Sequence, residues 1–102
     1  MLAHHVYFTL HDNSAAAKAD LVAACKKHLT GHPGTVFFGA GARVAELDRP
    51  VNDFEFDVAL QVVFDGKESH DQYQQAERHL AFVAENKANW QKVRVFDAYV
   101  EG

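Results

Sequence analysis

The chain has 102 residues, 48% hydrophobic and 24% charged, a balance that points to a folded domain rather than a disordered one. That length holds one core and is too short for two, so residues 1–102 read as a single domain. Ten Lys and Arg against fourteen Asp and Glu leave a net charge of -4, with no basic run longer than Lys26-Lys27, and a nucleic-acid surface is not expected. The single cysteine, Cys25, excludes an internal disulfide, and no Cys/His spacing resembles a structural zinc site.

The apolar start, Met1 to Leu10, contains two histidines and lacks the basic opening and small-residue cleavage pattern of a signal peptide. It is also too short to span a bilayer, so a cytoplasmic protein without membrane contact is expected. Both parities of Leu2 to Leu10 carry apolar groups, with Val6, Phe8 and Leu10 on one face and Tyr7 on the other, as in a strand buried on two sides. Turn and N-cap chemistry in His11-Asp12-Asn13-Ser14 opens a first helix with Ala17, Leu21, Ala24, Cys25 and His28 at helical spacing. Gly31 and Pro33 end it.

Alternation of Val36, Phe38, Ala40, Ala42 and Val44 predicts a second strand over 35–44, and polar residues 45–53 with Pro50 predict a loop. The clearest strand is the third, 54–64, with Phe54, Phe56, Val58, Leu60, Val62 and Phe64 on one face. Residues 67–87 are helical in composition, and a phase shift near Ala76 divides them into two short helices. Val93 to Val100 closes the chain as a last strand. The order β-α-β-β-α-β is the split βαβ arrangement of an α+β, ferredoxin-like protomer. Its helices cover one face of the sheet, and a first strand apolar on both faces then predicts a homodimer through the open face.

His5, Pro33-Gly34, Gly41, Tyr73, His79, Phe82, Trp90 and Phe96-Asp97, taken together, resemble the stress-responsive dimeric α/β-barrel (Dabb) family across essentially the whole chain. The resemblance implies two sheets closing into a barrel. It also implies a site like that of a plant member, olivetolic acid cyclase, which closes a ring by aldol chemistry with a histidine and a tyrosine. The matching positions are His79 and Tyr73, with His5 as a further pocket histidine. Ala76-Glu77-Arg78-His79 stands where the family often has His-Pro-x-His, and Val58 where the cyclase has a third-strand histidine.

With the Phe56, Val58, Leu60 and Val62 row set against the helices, that frame assigns Val6, Phe8 and Leu10, with His4, Phe37 and Val63, to the partner-facing side. His5, Tyr7 and Thr9 then look into a helix–sheet pocket toward Tyr73 and His79. Val36, Phe38, Val58 and Leu60 would line it, with Phe82 and with Trp90 as a lid or core aromatic. Such a pocket suits a small, mostly apolar carbonyl compound and His/Tyr acid–base chemistry of cyclase or lyase type. A non-enzymatic stress-associated dimer with a filled interior, and a cofactor-free monooxygenase-like barrel, are the alternatives. No cofactor and no metal are expected, since His70, Asp71 and His79 form no recognised ligand spacing.

Overall fold

Strand β1, Leu2–Leu10, runs through the middle of the molecule and alternates strictly between buried even positions and half-buried odd ones from His4 onward. Ser14 caps the helix that follows, its Oγ accepting from Ala17 N at 3.2 Å, and α1 spans Ala15–Leu29. Lys26, Lys27 and His28 occupy its last turn, where the helix dipole favours positive charge. Strands β2, Thr35–Ala42, and β3, Val58–Phe64, precede α2, Lys67–Gln75, and α3, Glu77–Asn86. A short 3-10 turn, Lys87–Asn89, leads into β4, Trp90–Tyr99. The computed structural model describes all residues, 1–102, and no helix in it is long and apolar enough to cross a membrane.

The four strands form one antiparallel sheet in the order β2-β3-β1-β4, the ferredoxin-like arrangement expected from the element order. Ala76 separates α2 from α3 with an extended backbone, φ -65° and ψ 143°, at the position of the phase shift in the apolar pattern. Gly34, at φ 82°, brings the entrance of β2 so close to α2 that a Cβ there would lie 2.0 Å from Ser69 Oγ.

Three boundaries differ from the sequence reading. Strand β3 begins at Val58 rather than Phe54, because its partners on both sides run out there: Val58 pairs with Ala42 and with Phe8. Residue Asp57 instead accepts from Leu10 N at 2.8 Å through its carboxylate and donates its own N–H to Phe8 O at 2.7 Å. Strand β2 stops at Ala42, and a register shift between Thr35 and Phe37 leaves Val36 57% exposed, outside the pocket face assigned to it. Strand β4 starts at Trp90, three residues before Val93.

The larger correction concerns which side of β1 faces the helices. Register pairs Val6 with Leu60, Phe8 with Val58 and Leu2 with Phe64, and residues directly opposite one another in an antiparallel pair share a face. The even residues of β1 and β3 therefore form one apolar sheet surface, and α1, α2 and α3 close over it. Leu2, Val6, Phe8 and Leu10 join Leu21, Cys25, Leu29, Val58, Leu60, Val62, Phe64, Tyr73 and Phe82 in a single buried core. Partner-facing roles for Val6, Phe8, Leu10 and His4 are thus overturned, and so is the inward aim of His5, Tyr7 and Thr9. Those three lie on the open face, where Tyr7 meets Phe56 and Phe96 edge-on at 5.0 and 5.7 Å. Phe37, 52% exposed, and Phe96, 54% exposed, lie there too.

Candidate active site between helices and sheet

His4 is buried among apolar neighbours on the helix side of β1, 4% exposed. Directly across the ladder stands Asp97 of β4, and His4 Nδ1 meets its Oδ1 at 2.5 Å. A carboxylate only accepts, so Nδ1 carries the proton and donates, leaving the ring's lone pair on Nε2. The Gln74 amide nitrogen from α2 approaches Nε2 at 3.4 Å. Burial lowers the His4 pKa below the ordinary imidazole value, Asp97 pulling the other way with less effect, so that His4 is neutral near pH 7.

Tyr73 of α2 packs over this pair and is 2% exposed. Its ring takes edge contacts from three histidines: His4 at 6.0 Å, His32 at 5.0 Å and His79 at 4.8 Å between centroids. His32 is held in place by donating to His28 O at 2.8 Å. Arg78 fixes the start of α3 against the end of α1, donating to Lys27 O and Thr30 O at 2.7 Å each, and so sets the adjacent His79 against Tyr73. A second link between these helices is the His28–Glu85 pair at 3.0 Å.

Two polar atoms in this cluster have no partner: the Tyr73 hydroxyl and His79 Nδ1, both buried. A buried polar atom left unpaired costs about 1–3 kcal/mol, so each of these atoms is free to take a hydrogen bond from a molecule in the space beside it. Burial pushes the Tyr73 phenol well above its ordinary pKa, so it stays a neutral O–H donor. Burial, with His4, His32 and His70 nearby, lowers the His79 pKa and keeps that ring uncharged at neutral pH.

Both groups border a cavity of about 360 Å3 between the helices and the β4 side of the sheet. Its polar end is built by His4, His70, Tyr73, Gln74, His79 and Asp97. Its apolar end is built by Val6, Phe8, Leu29, Leu60, Phe82, Val83 and Trp90. Trp90 stacks on Phe8 and Phe82 at 4.9 and 5.7 Å and has a buried, unpartnered Nε1. The helices do not reach across β4, leaving Val93 and Val95, which also line the cavity, 39% and 50% exposed. The cavity therefore opens along that edge.

Of the residues singled out from the sequence, Tyr73, His79, Leu60, Phe82 and Trp90 come together at this cavity. His5, Tyr7 and Thr9 do not. His5 and Tyr7 border a separate depression on the open face with Asn52, Asp53, Phe56, Arg94 and Phe96, where Arg94 pairs with Asp53 at 2.8 Å. Thr9 donates to Glu55 O at 2.5 Å. Val58 lies wholly within the core, and Phe38 packs against it, without bordering the cavity. The sequence reading placed none of His4, Asp97, His70 and Gln74 in the pocket, setting His4 at the dimer face and giving Asp97 and His70 no part in the site. The signal for His4 was the parity it shares with Val6 and Phe8.

A ferredoxin-like protomer with a cavity lined by histidines, a tyrosine and an aspartate between its helices and one edge of its sheet is the class defined by this geometry. The chain belongs to the Dabb family, the stress responsive A/B barrel domain, whose model matches residues 2–100. A Dabb family protein with a ferredoxin-like fold from Mesorhizobium loti is 21% identical, with a TM-score of 0.78 over 99% of this chain and 97% of that one. A dimeric ferredoxin-like protein of unknown function from Thermobifida fusca is 18% identical, TM-score 0.78, covering 97% of this chain and 90% of that chain. Hydroxynitrile lyase from Passiflora edulis is 16% identical, TM-score 0.76, over 98% of this chain and 93% of the lyase. No curated protein matches the sequence.

Proposed function

We propose that the helix–sheet cavity binds a small, mostly apolar carbonyl compound and catalyses proton transfer next to the carbonyl, in a homodimer joined through the open sheet face. The observation that carries the first half is the convergence of a His4 lone pair, a neutral Tyr73 hydroxyl without a partner and an unpartnered His79 nitrogen on one cavity. Removal of a proton beside a carbonyl needs a base and a donor for the enolate oxygen that develops. His4 Nε2, oriented through Nδ1 by Asp97, serves as the base. Tyr73 donates a hydrogen bond to the developing enolate oxygen, the proton taken up by His4 exchanges with solvent or returns to the carbon, and His79 offers a further hydrogen-bonding nitrogen beside Tyr73. The apolar end, from Phe8 to Trp90, holds the body of the substrate.

A cyclase-like or lyase-like outcome is a matter of what the enolate or carbonyl then meets, and the likeness to a hydroxynitrile lyase is in keeping with carbonyl chemistry in this fold. An open cavity of about 360 Å3 counts against a filled, purely structural barrel. The dimer is supported by the description of the Thermobifida fusca relative as dimeric and by an aromatic open face on which exposed Phe37 and Phe96 flank half-buried Tyr7 and Phe56.

Phenylacetone in D2O provides the test. Enzyme-dependent exchange of its protons next to the carbonyl, followed by NMR with a chelator present, is expected, and Tyr73→Phe should slow it about 100-fold. No exchange above buffer, or an unchanged rate in Tyr73→Phe, would overturn the reading.

A further inference from the structure

His4, His70 and Asp97 come from β1, α2 and β4, and each offers one metal-binding atom, all within 4.8 Å of one another. We propose that these three side chains bind a first-row divalent transition metal of the zinc class at the polar end of the cavity, and that this metal and the base function of His4 exclude each other. The donor set selects the ion: two imidazoles and one carboxylate suit zinc or cobalt, whereas magnesium and calcium take oxygen shells.

Metal–ligand distances of about 2.0–2.2 Å place tetrahedral donors about 3.3 Å apart, so the widest pair must close by roughly 1.5 Å. His4 is the fixed member, buried in the core. The Asp97 side chain, 45% exposed at the sheet edge, has room to move toward the two rings, and the His70 ring already packs against His4 at 4.9 Å between centroids. An outer carboxylate is already in place, since Asp71 Oδ1 lies 3.0 Å from His70 Nδ1. That contact puts the His70 lone pair on Nε2 and fixes the ring's tautomer, as outer carboxylates do for ligating histidines. Three protein ligands beside a cavity leave a coordination position open to a small ligand.

Exclusivity follows from the electron count of imidazole. A neutral ring has one lone pair, and a metal bound through either nitrogen of His4 takes it. Metal binding as such is independent of the proton-transfer reading; the exclusivity rests on it.

Untagged, chelator-treated protein titrated calorimetrically with Zn2+, and with Co2+ followed by visible absorption, decides the matter. One ion per protomer and the d–d bands of four- or five-coordinate cobalt are expected. His70→Ala and Asp97→Asn, each checked by its melting curve, should weaken binding about tenfold or more. No zinc uptake by the wild type, or wild-type affinity in both variants, overturns the site. Asp97→Asn keeps the side-chain shape at a half-exposed position, so it decides even where His70→Ala unfolds. Stoichiometric Zn2+ should also suppress the exchange of phenylacetone protons, and exchange that persists with zinc bound overturns the exclusivity. Loss of the exchange itself in chelator would overturn the proton-transfer reading and leave the metal titration standing.

Discussion

The two faces of the sheet are built from neighbouring residues of the same strands and do different work. On the helix side, β1 presents His4, Val6, Phe8 and Leu10, all buried, and the only polar member is paired with Asp97. On the open side it presents His5, Tyr7 and Thr9, half-buried, among exposed Phe37 and Phe96. A buried histidine with an oriented tautomer is a chemical tool, whereas a half-exposed one is chiefly surface. The contrast between His4 and His5 shows that one position along a strand decides which of these a histidine becomes.

The largest expected effect separates the faces by stability. Phe8 is 2% exposed between Phe82 and Trp90, so Phe8→Ala should cost about 3–5 kcal/mol in urea unfolding. Phe37→Ala on the open face should leave the protomer's own stability nearly unchanged, and an equal loss would erase the distinction. Association should show the reverse order. Phe96→Asp, which sets a charge in the proposed dimer face, should convert the dimer to monomer in sedimentation at micromolar concentration.

Acid should act through the helix side. His4 and His79 have folded-state pKa values lowered mainly by burial, so near pH 7 both folded and unfolded chains hold these rings neutral. As pH falls below the unfolded value of about 6.5, the unfolded chain takes up protons first and stability declines until the folded pKa values are passed. Melting temperature should therefore drop between pH 7 and pH 5, and His79→Gln should make that drop shallower. A steeper drop in the variant would contradict the assignment. The smallest effect is expected from Tyr73→Phe, which removes an unpartnered hydroxyl and should leave the melting temperature equal or slightly raised while slowing exchange.

Much of the architecture was legible because strand and helix periods differ. The alternation that ends at Phe64 and the phase shift at Ala76 each reflect a local geometric repeat, and β3 ends and α2 gives way to α3 at those positions, although the alternation opens at Phe54 and the strand only at Val58. What the pattern lacked was register. Nothing in β1 alone tells which of its faces meets the helices, and the expectation, drawn partly from the resemblance, is the reverse of the observed one. The antiparallel pairing of Val6 with Leu60 decides the matter, because the most apolar faces of two central strands must enter the same core. With the even residues of β1 inward, His4 borders the cavity and His5 lies on the opposite face.

Asp97 was hidden for a related reason. Its partner is 93 residues away in sequence and is brought opposite only by the closing strand. Tyr73 and His79 were easier, since α2 and α3 place both on the helix surface that must cover the sheet, and their ring contact at 4.8 Å is local. Val36 failed because a bulge near Thr35 shifts the phase of β2, which composition does not announce.

The most direct test of the helix-side site compares two adjacent substitutions, His4→Ala and His5→Ala, in the exchange of phenylacetone protons in D2O with chelator present. His4→Ala should lower the rate about 100-fold or more, the usual contribution of a positioned general base, and His5→Ala should leave it within about a factor of two. Equal losses, or a loss confined to His5→Ala, would contradict a catalytic site between the helices and the sheet.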